Sequence, residues 1–320
     1  MTASKRLKRL VMTATVSTYL LLILGGVVSS TGAGLACPDW PLCHGQLIPP
    51  LEGPVLIEYS HRLVALVAGL SILAMVVAAW RHARRRPITL VLSNLAVFLF
   101  LAQAGLGGIT VLYELPTEAA TAHLGVGTGL FVVLVTLTAL IVLAEPFDTS
   151  AGLDRNRSRS NLCGWVIGAA IVVFAQMVLG AYVRHSGASL ACPDFPRCLG
   201  QWVPPLTGSV LVHFAHRLGA IASGVVVIGV CARVWWTVRK PRSVVVAAVM
   251  ALGLVAVQIA LGVIVVVSQI DLGPAIAHLA VAELLLATLI FLGVRTGARE
   301  TIPAPVAPAL LRHEQREEAV

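Results

Sequence analysis

The 320-residue chain is 58% hydrophobic and 12% charged, with a mean hydropathy of +0.89. Soluble domains carry about 25% charged residues, so this surplus of apolar surface excludes an ordinary soluble protein and points to a bilayer. The formal net charge of +8 does not indicate nucleic acid, because Lys and Arg fall in short clusters between apolar runs and no stretch interleaves them with aromatics.

Taken in chain order, the first apolar run, Leu10–Val28, follows Lys5, Arg6, Lys8 and Arg9. It resembles a signal peptide, but no small-residue cleavage site follows, so it reads as a retained helix. Further runs follow at Ser60–Trp80, Ile88–Leu112 and Ala119–Leu143, then at Leu162–Val183, Val210–Trp236, Ser243–Val267 and Pro274–Val294. A helix needs about 20 residues to cross the hydrocarbon, and each run has about that length. The expected fold is an all-α integral membrane protein of eight spans. Residues 1–144 and 162–298 form two four-helix halves, 145–161 a linker, and 299–320 a disordered tail rich in Pro, Ala and charge.

Nineteen of the 23 Lys and Arg residues lie on one side of these spans, and the other side keeps Arg62, Arg184, Arg197 and Arg217. The positive-inside rule then places both termini in the cytoplasm of a multi-pass cell-membrane protein.

An internal repeat organises the chain. Cys37-Pro-Asp-Trp-Pro-Leu-Cys43 reappears as Cys192-Pro-Asp-Phe-Pro-Arg-Cys198. The same offset of 155 places His61-Arg62-Leu63 on His216-Arg217-Leu218, Gln103 on Gln258, Gly107 on Gly262, and His123 on His278. One gapless offset over whole halves indicates duplication, and an even number of spans per half makes the repeat parallel.

His61, His123, His216 and His278 fall in the first turn or two of helices 2, 4, 6 and 8, which all run inward from the outer face. A single histidine in a membrane helix is more often a packing residue. Two per bundle at one level, repeated, suit axial ligation of heme iron within a four-helix bundle. Zinc would want three or four ligands. Arg62 and Arg217 follow their histidines and could pair with heme propionates or snorkel to headgroups. The outer cysteines could form the local disulfides Cys37–Cys43 and Cys192–Cys198, which persist outside the membrane; a four-cysteine zinc site is the less economical alternative. Cys163 and Cys231 read as packing residues.

The halves differ three residues before the first histidine, where Glu58 stands against His213. Residues at i and i+3 share a helix face, so Glu58 lies one turn outward of His61, where a carboxylate can serve as an acid–base group.

Together Glu58-Tyr-Ser-His61-Arg62, His213-Phe-Ala-His216-Arg217, the two Cys-Pro-Asp loops, His123 and His278 resemble heme A synthase of the bacterial type with paired cysteines. The likeness runs from about Leu10 to Arg295. It implies oxidation of a methyl group of heme O to the formyl group of heme A, by successive hydroxylations and loss of water from a geminal diol. It further implies heme B as cofactor on His216 and His278, substrate heme O on His61 and His123, catalysis assisted by Glu58, and a substrate-handling role for Cys37 and Cys43. Heme O synthase would be the upstream partner and a heme-copper oxidase the client. The rival reading is a transmembrane diheme b-type cytochrome carrying electrons from quinol. Such proteins stack hemes at two depths, whereas these histidines share one. A transporter would instead need helices broken at the midplane.

Overall fold

The computed structural model describes residues 4–142, 155–236 and 242–297, with the side chains of the fifth helix described from 162 onward. Residues 145–154 of the expected linker, most of the turn after helix 6 and the expected tail lie outside the described residues, while linker residues 155–161 belong to the fifth helix. Eight helices account for nearly all of the rest: α1 (Lys5–Thr31), α2 (Gly53–His82), α3 (Pro87–Leu112), α4 (Thr117–Ile141), α5 (Arg155–His185), α6 (Gly208–Trp236), α7 (Arg242–Val267) and α8 (Leu272–Gly297). All eight are long and apolar enough to cross a membrane. Among the described residues extended pairing is limited to two isolated bridges, Cys43 with Gln46 and Cys198 with Gln201.

The helices start where backbone chemistry lets them. Ser4 caps α1, its hydroxyl accepting from Leu7 N at 3.2 Å, which satisfies one of the free N–H groups of a first turn. Pro54 and Pro87 occupy the opening positions of α2 and α3, where a missing N–H costs nothing. Because Pro54 can open a helix, α2 begins seven residues before the apolar run that marks it in the sequence. His61 is therefore eight residues into its helix, as His216 is in α6, while His123 and His278 are each six residues into α4 and α8. The histidines sit about 9–12 Å from their helix starts at 1.5 Å per residue, slightly deeper than the expected first turn or two.

Each half closes as a ring of neighbours: α1 on α2, α2 on α3, α3 on α4 and α4 on α1, with the same order in α5–α8. The halves join where α4 packs on α5 and α8, and α1 on α8. Arg184 Nη2 donates to Ser29 O at 3.0 Å, and Thr128 Oγ1 to Glu283 Oε1 at 2.7 Å. In both contacts the partners are 155 positions apart.

Packing is tightest at the end remote from the histidines. Leu7, Val11, Ile72, Met75, Leu134 and Leu137 close the first half there, and Val166, Val227, Leu286, Leu289 and Leu292 the second. The outward faces stay apolar, as with Phe98 and Leu101 on α3 and Val249 and Val257 on α7. Lipid can cover such faces, since all backbone polar groups are satisfied within the helices.

Candidate functional site

The ring order sets α2 diagonally across from α4, and α6 from α8. His61 and His123 lie within electrostatic range of one another, as do His216 and His278. The fold thus brings the four expected histidines together as two pairs, one in each half. All four rings are half-buried.

Each ring rests against a glycine of the adjacent helix. A Cβ added at Gly25 would stand 3.2 Å from His61 Cε1, and one at Gly107 3.1 Å from His123 Cε1. In the second half the distances are 2.9 Å from Gly180 to His216 and 3.2 Å from Gly262 to His278. The absent side chains let four imidazoles lie flush on backbone. Of these glycines only Gly107 and Gly262 stood out in the repeat. Gly25 and Gly180 went unremarked, although the offset of 155 relates them equally well.

The polar atoms of these rings are incompletely matched. His61, His123 and His278 each bury an Nδ1 with no hydrogen-bond partner, a costly state for a donor-or-acceptor nitrogen. Gln258 Nε2 lies 3.2 Å from His278 Nε2, and Gln176 Nε2 lies 2.9 Å from His216 Nδ1. Gln176 Nε2 also donates to His216 O at 2.8 Å, so one amide holds both the ring and the backbone of His216. Paired imidazoles with no side chain between ring and neighbouring backbone fit a planar iron cofactor. Among the described residues no group of three or more His, Cys, Asp or Glu side chains is placed to hold a metal ion, so a many-ligand zinc centre finds no donors there.

The loops that lead into α2 and α6 carry disulfides, Cys37–Cys43 and Cys192–Cys198. Asp39 accepts from His44 N at 2.6 Å and Gly45 N at 2.8 Å, and Asp194 from Leu199 N at 2.7 Å and Gly200 N at 2.8 Å. These backbone donors hold both carboxyls below the ordinary carboxylate range. The cap stabilises a tight turn in which His44 and Leu199 both adopt positive φ.

Arg62 and Arg217 reach the disulfide loops. Arg62 makes four hydrogen bonds, to the carbonyls of Cys37, Asp39 and Leu42 and to Glu58 Oε1. Arg217 donates to Arg197 O at 2.8 Å and Cys192 O at 2.6 Å. A planar fork with five donors can bind several carbonyls at once, and a short loop pinned by a disulfide presents them together.

Glu58 belongs to the same clamp. It is 3% exposed; Oε1 is 2.6 Å from Arg62 Nη2, and Oε2 accepts from Cys37 N at 2.7 Å. His213 occupies the matching place with weaker chemistry, its Nδ1 being 3.0 Å from Ala188 O and 3.4 Å from Cys192 N. The carboxylate therefore ties the outer disulfide to the helix of His61, one turn from the ring.

Eight helices long and apolar enough to cross a membrane, with two pairs of histidines set between them, define a polytopic membrane protein. The COX15-CtaA profile, described as cytochrome oxidase assembly protein, matches residues 8–55 and 52–290. The heme A synthase of Shouchella clausii is 36% identical over 269 residues, covering 82% of this chain and 88% of the relative. That of Geobacillus thermodenitrificans is 34% identical over 313 residues, 94% of this chain and 95% of the relative. The chain belongs to the COX15-CtaA family of cytochrome oxidase assembly proteins.

Proposed function

We propose that this protein is a heme A synthase: an oxidoreductase that converts a methyl group of heme O to the formyl group of heme A for heme-copper oxidase assembly. The observation that carries this reading is the fourfold recurrence of a histidine laid on a glycine, two per bundle. The named function of the relatives supplies the reaction.

The halves divide the work. His216 and His278 hold a resident heme B, with Gln176 orienting the His216 ring. When bound, that group supplies one-electron redox chemistry. His61 and His123 hold substrate heme O in the first half, and its farnesyl tail can lie among apolar helices or lipid. Glu58 acts as the acid–base group of this half. Its carboxylate has roughly four acceptor sites, so contacts from Arg62 and the Cys37 N–H leave room to take a proton as the methyl carbon is oxidised. The same contacts transmit any change in the Cys37–Cys43 loop to the carboxylate. Arg62 and Arg217 keep donors beyond those given to the loop carbonyls, and these are free to reach heme propionates. The protein lies in the cell membrane with both termini cytoplasmic and the loops outside, and heme O synthase is its upstream partner.

The test is expression in a cell that makes heme O but no heme A, followed by extraction and chromatography of the hemes. Heme A or hydroxylated heme O is expected only with the gene present. Heme O alone, beside well-folded protein, would reject the reading.

A further inference from the structure

Glu283 takes no part in the site above, yet it is the one carboxylate deep inside the described bundle, with 0% exposure. Its Oε1 accepts from Thr128 Oγ1 at 2.7 Å, and its Oε2 has no partner. Intramembrane ionisable groups are costly and generally functional. Its placement is specific. Glu283 follows His278 by five residues on α8, and Thr128 follows His123 by five on α4. The single hydrogen bond between them joins the helices that carry one histidine of each pair. Five residues correspond to about 7.5 Å along the axis, so the carboxyl lies deeper in the bundle than the histidines, without direct contact to them.

The charged groups of the packed helices stand toward their ends, and α1 carries Lys5, Arg6, Lys8 and Arg9 in its first turns. From α1, Tyr19 lies within electrostatic range of Glu283, and its hydroxyl donates to Ala280 O at 3.3 Å. Among described side chains, α4 offers only His123 and Glu118, both nearer its outer end. Helix α5 offers Arg184 and His185 at its outer end, and α7 only Arg242 at its inner end. On α8 itself stand His278 and, at the far end, Arg295. Among the described residues Glu283 forms no ion pair.

We propose that Glu283 is the charge-compensating proton acceptor of the second half, binding one proton when an electron enters that half and releasing it when the electron leaves. This rests on the reading that His216 and His278 hold a redox-active heme. An added electron in a low-dielectric interior is offset best by a proton taken up nearby. Oε2 is the atom that receives it, while Thr128 continues to serve Oε1. The balance is one electron and one proton in, converting carboxylate to neutral carboxyl. On reoxidation by a one-electron acceptor the electron leaves and the proton returns to water. In turnover the electron comes from substrate oxidation; in the test it comes from dithionite, with ferricyanide as the oxidant.

The experiment is a spectroelectrochemical titration of the b-type heme in the detergent-solubilised holoprotein, from about pH 6 to 9. The wild type is expected to lower its midpoint as pH rises, by up to about 59 mV per unit, the equivalent of tenfold for one electron. Glu283→Gln is expected to keep the b-type spectrum and flatten that slope. Reduction-minus-oxidation infrared spectra are expected to show a carboxyl band in the wild type that is missing in Glu283→Gln. Should Glu283→Gln fail to fold, Thr128→Val serves instead, since loss of its hydrogen bond must shift the same band. A flat wild-type midpoint, an unchanged slope in Glu283→Gln, or a band unmoved by Thr128→Val would overturn the proposal. Heme A formation is scored separately: its absence beside a pH-linked midpoint indicts the synthase reading, and its presence beside a flat midpoint indicts this one.

Discussion

Glu58→Gln separates catalysis from loop clamping. The carboxylate accepts from Arg62 on one oxygen and from the Cys37 N–H on the other. Glutamine has one acceptor and one donor end, so its NH2 must face one of those two donors. Removing one partner of a buried ion pair costs about 3–5 kcal/mol. Arg62 is 16% exposed and keeps three carbonyl acceptors, so about 2–3 kcal/mol is the reasonable expectation. Native proteins hold roughly 5–15 kcal/mol, so the variant folds and retains its b-type spectrum. Loss of an acid–base group costs about 10²–10⁴ in rate, far more than a loosened loop. The assay is heme A formed from heme O per mole of folded protein, read beside the rate at which a reductant opens Cys37–Cys43. Arg62→Gln is the matched perturbation, keeping the carboxylate while removing its cation. His213→Gln, which disturbs one neutral hydrogen bond to Ala188 O, should be mild. Near-normal turnover by Glu58→Gln, or a loss that merely tracks disulfide exposure across these variants, would refute the catalytic role.

Further expectations concern the two halves and the loops. Gly262→Val should drive a side chain into His278 and deplete the b-type heme, whereas Gly253→Val, with open space at its Cβ, should leave the spectrum intact; equal effects would reject the glycine cradle. Replacing Asp194 by Asn should weaken the second loop above the ordinary carboxylate range and matter less in strong acid, as measured by disulfide reduction rate against pH. The sign follows from a carboxyl held below its usual value of 3.8: its contribution is present above that value and lost as pH falls through the depressed one. Membrane-impermeant labelling should reach a cysteine placed at Leu47 from outside and one placed at Arg85 only from inside; the same side for both would break the topology.

Much of this arrangement was legible because membrane helices announce themselves by length and apolarity, and because the duplication singles out residues that recur. The spans and the cysteine loops follow from those two signals. What escaped depends on side-chain reach. Arg62 and Arg217 looked like propionate or headgroup residues because their nearest sequence neighbour is a histidine. Only the folded loop reveals three backbone carbonyls within range of Arg62. Gly25 was hidden in an apolar helix where glycine carries no chemistry of its own, though its offset partner Gly180 was available as a signal. Gln176 has no counterpart, since Leu21 stands in its place, so the repeat could not flag it. Glu283 breaks an otherwise apolar run but is not preserved by the repeat; its partner in the first half is Thr128, which is also the residue it touches. The early start of α2 escaped because Pro54 to Tyr59 form helix against the outer loop and lie outside the apolar window.

The central claim is that the first half transforms heme O while the second half holds heme B. It is tested most directly by giving purified protein heme O and following heme A by chromatography, in the wild type, His61→Ala and His216→Ala, with the b-type spectrum recorded for each. The account predicts that His61→Ala keeps most of the b-type spectrum and forms no heme A, whereas His216→Ala loses the spectrum itself. Equal loss of the b-type spectrum in both variants, or heme A formation by His61→Ala, would contradict it.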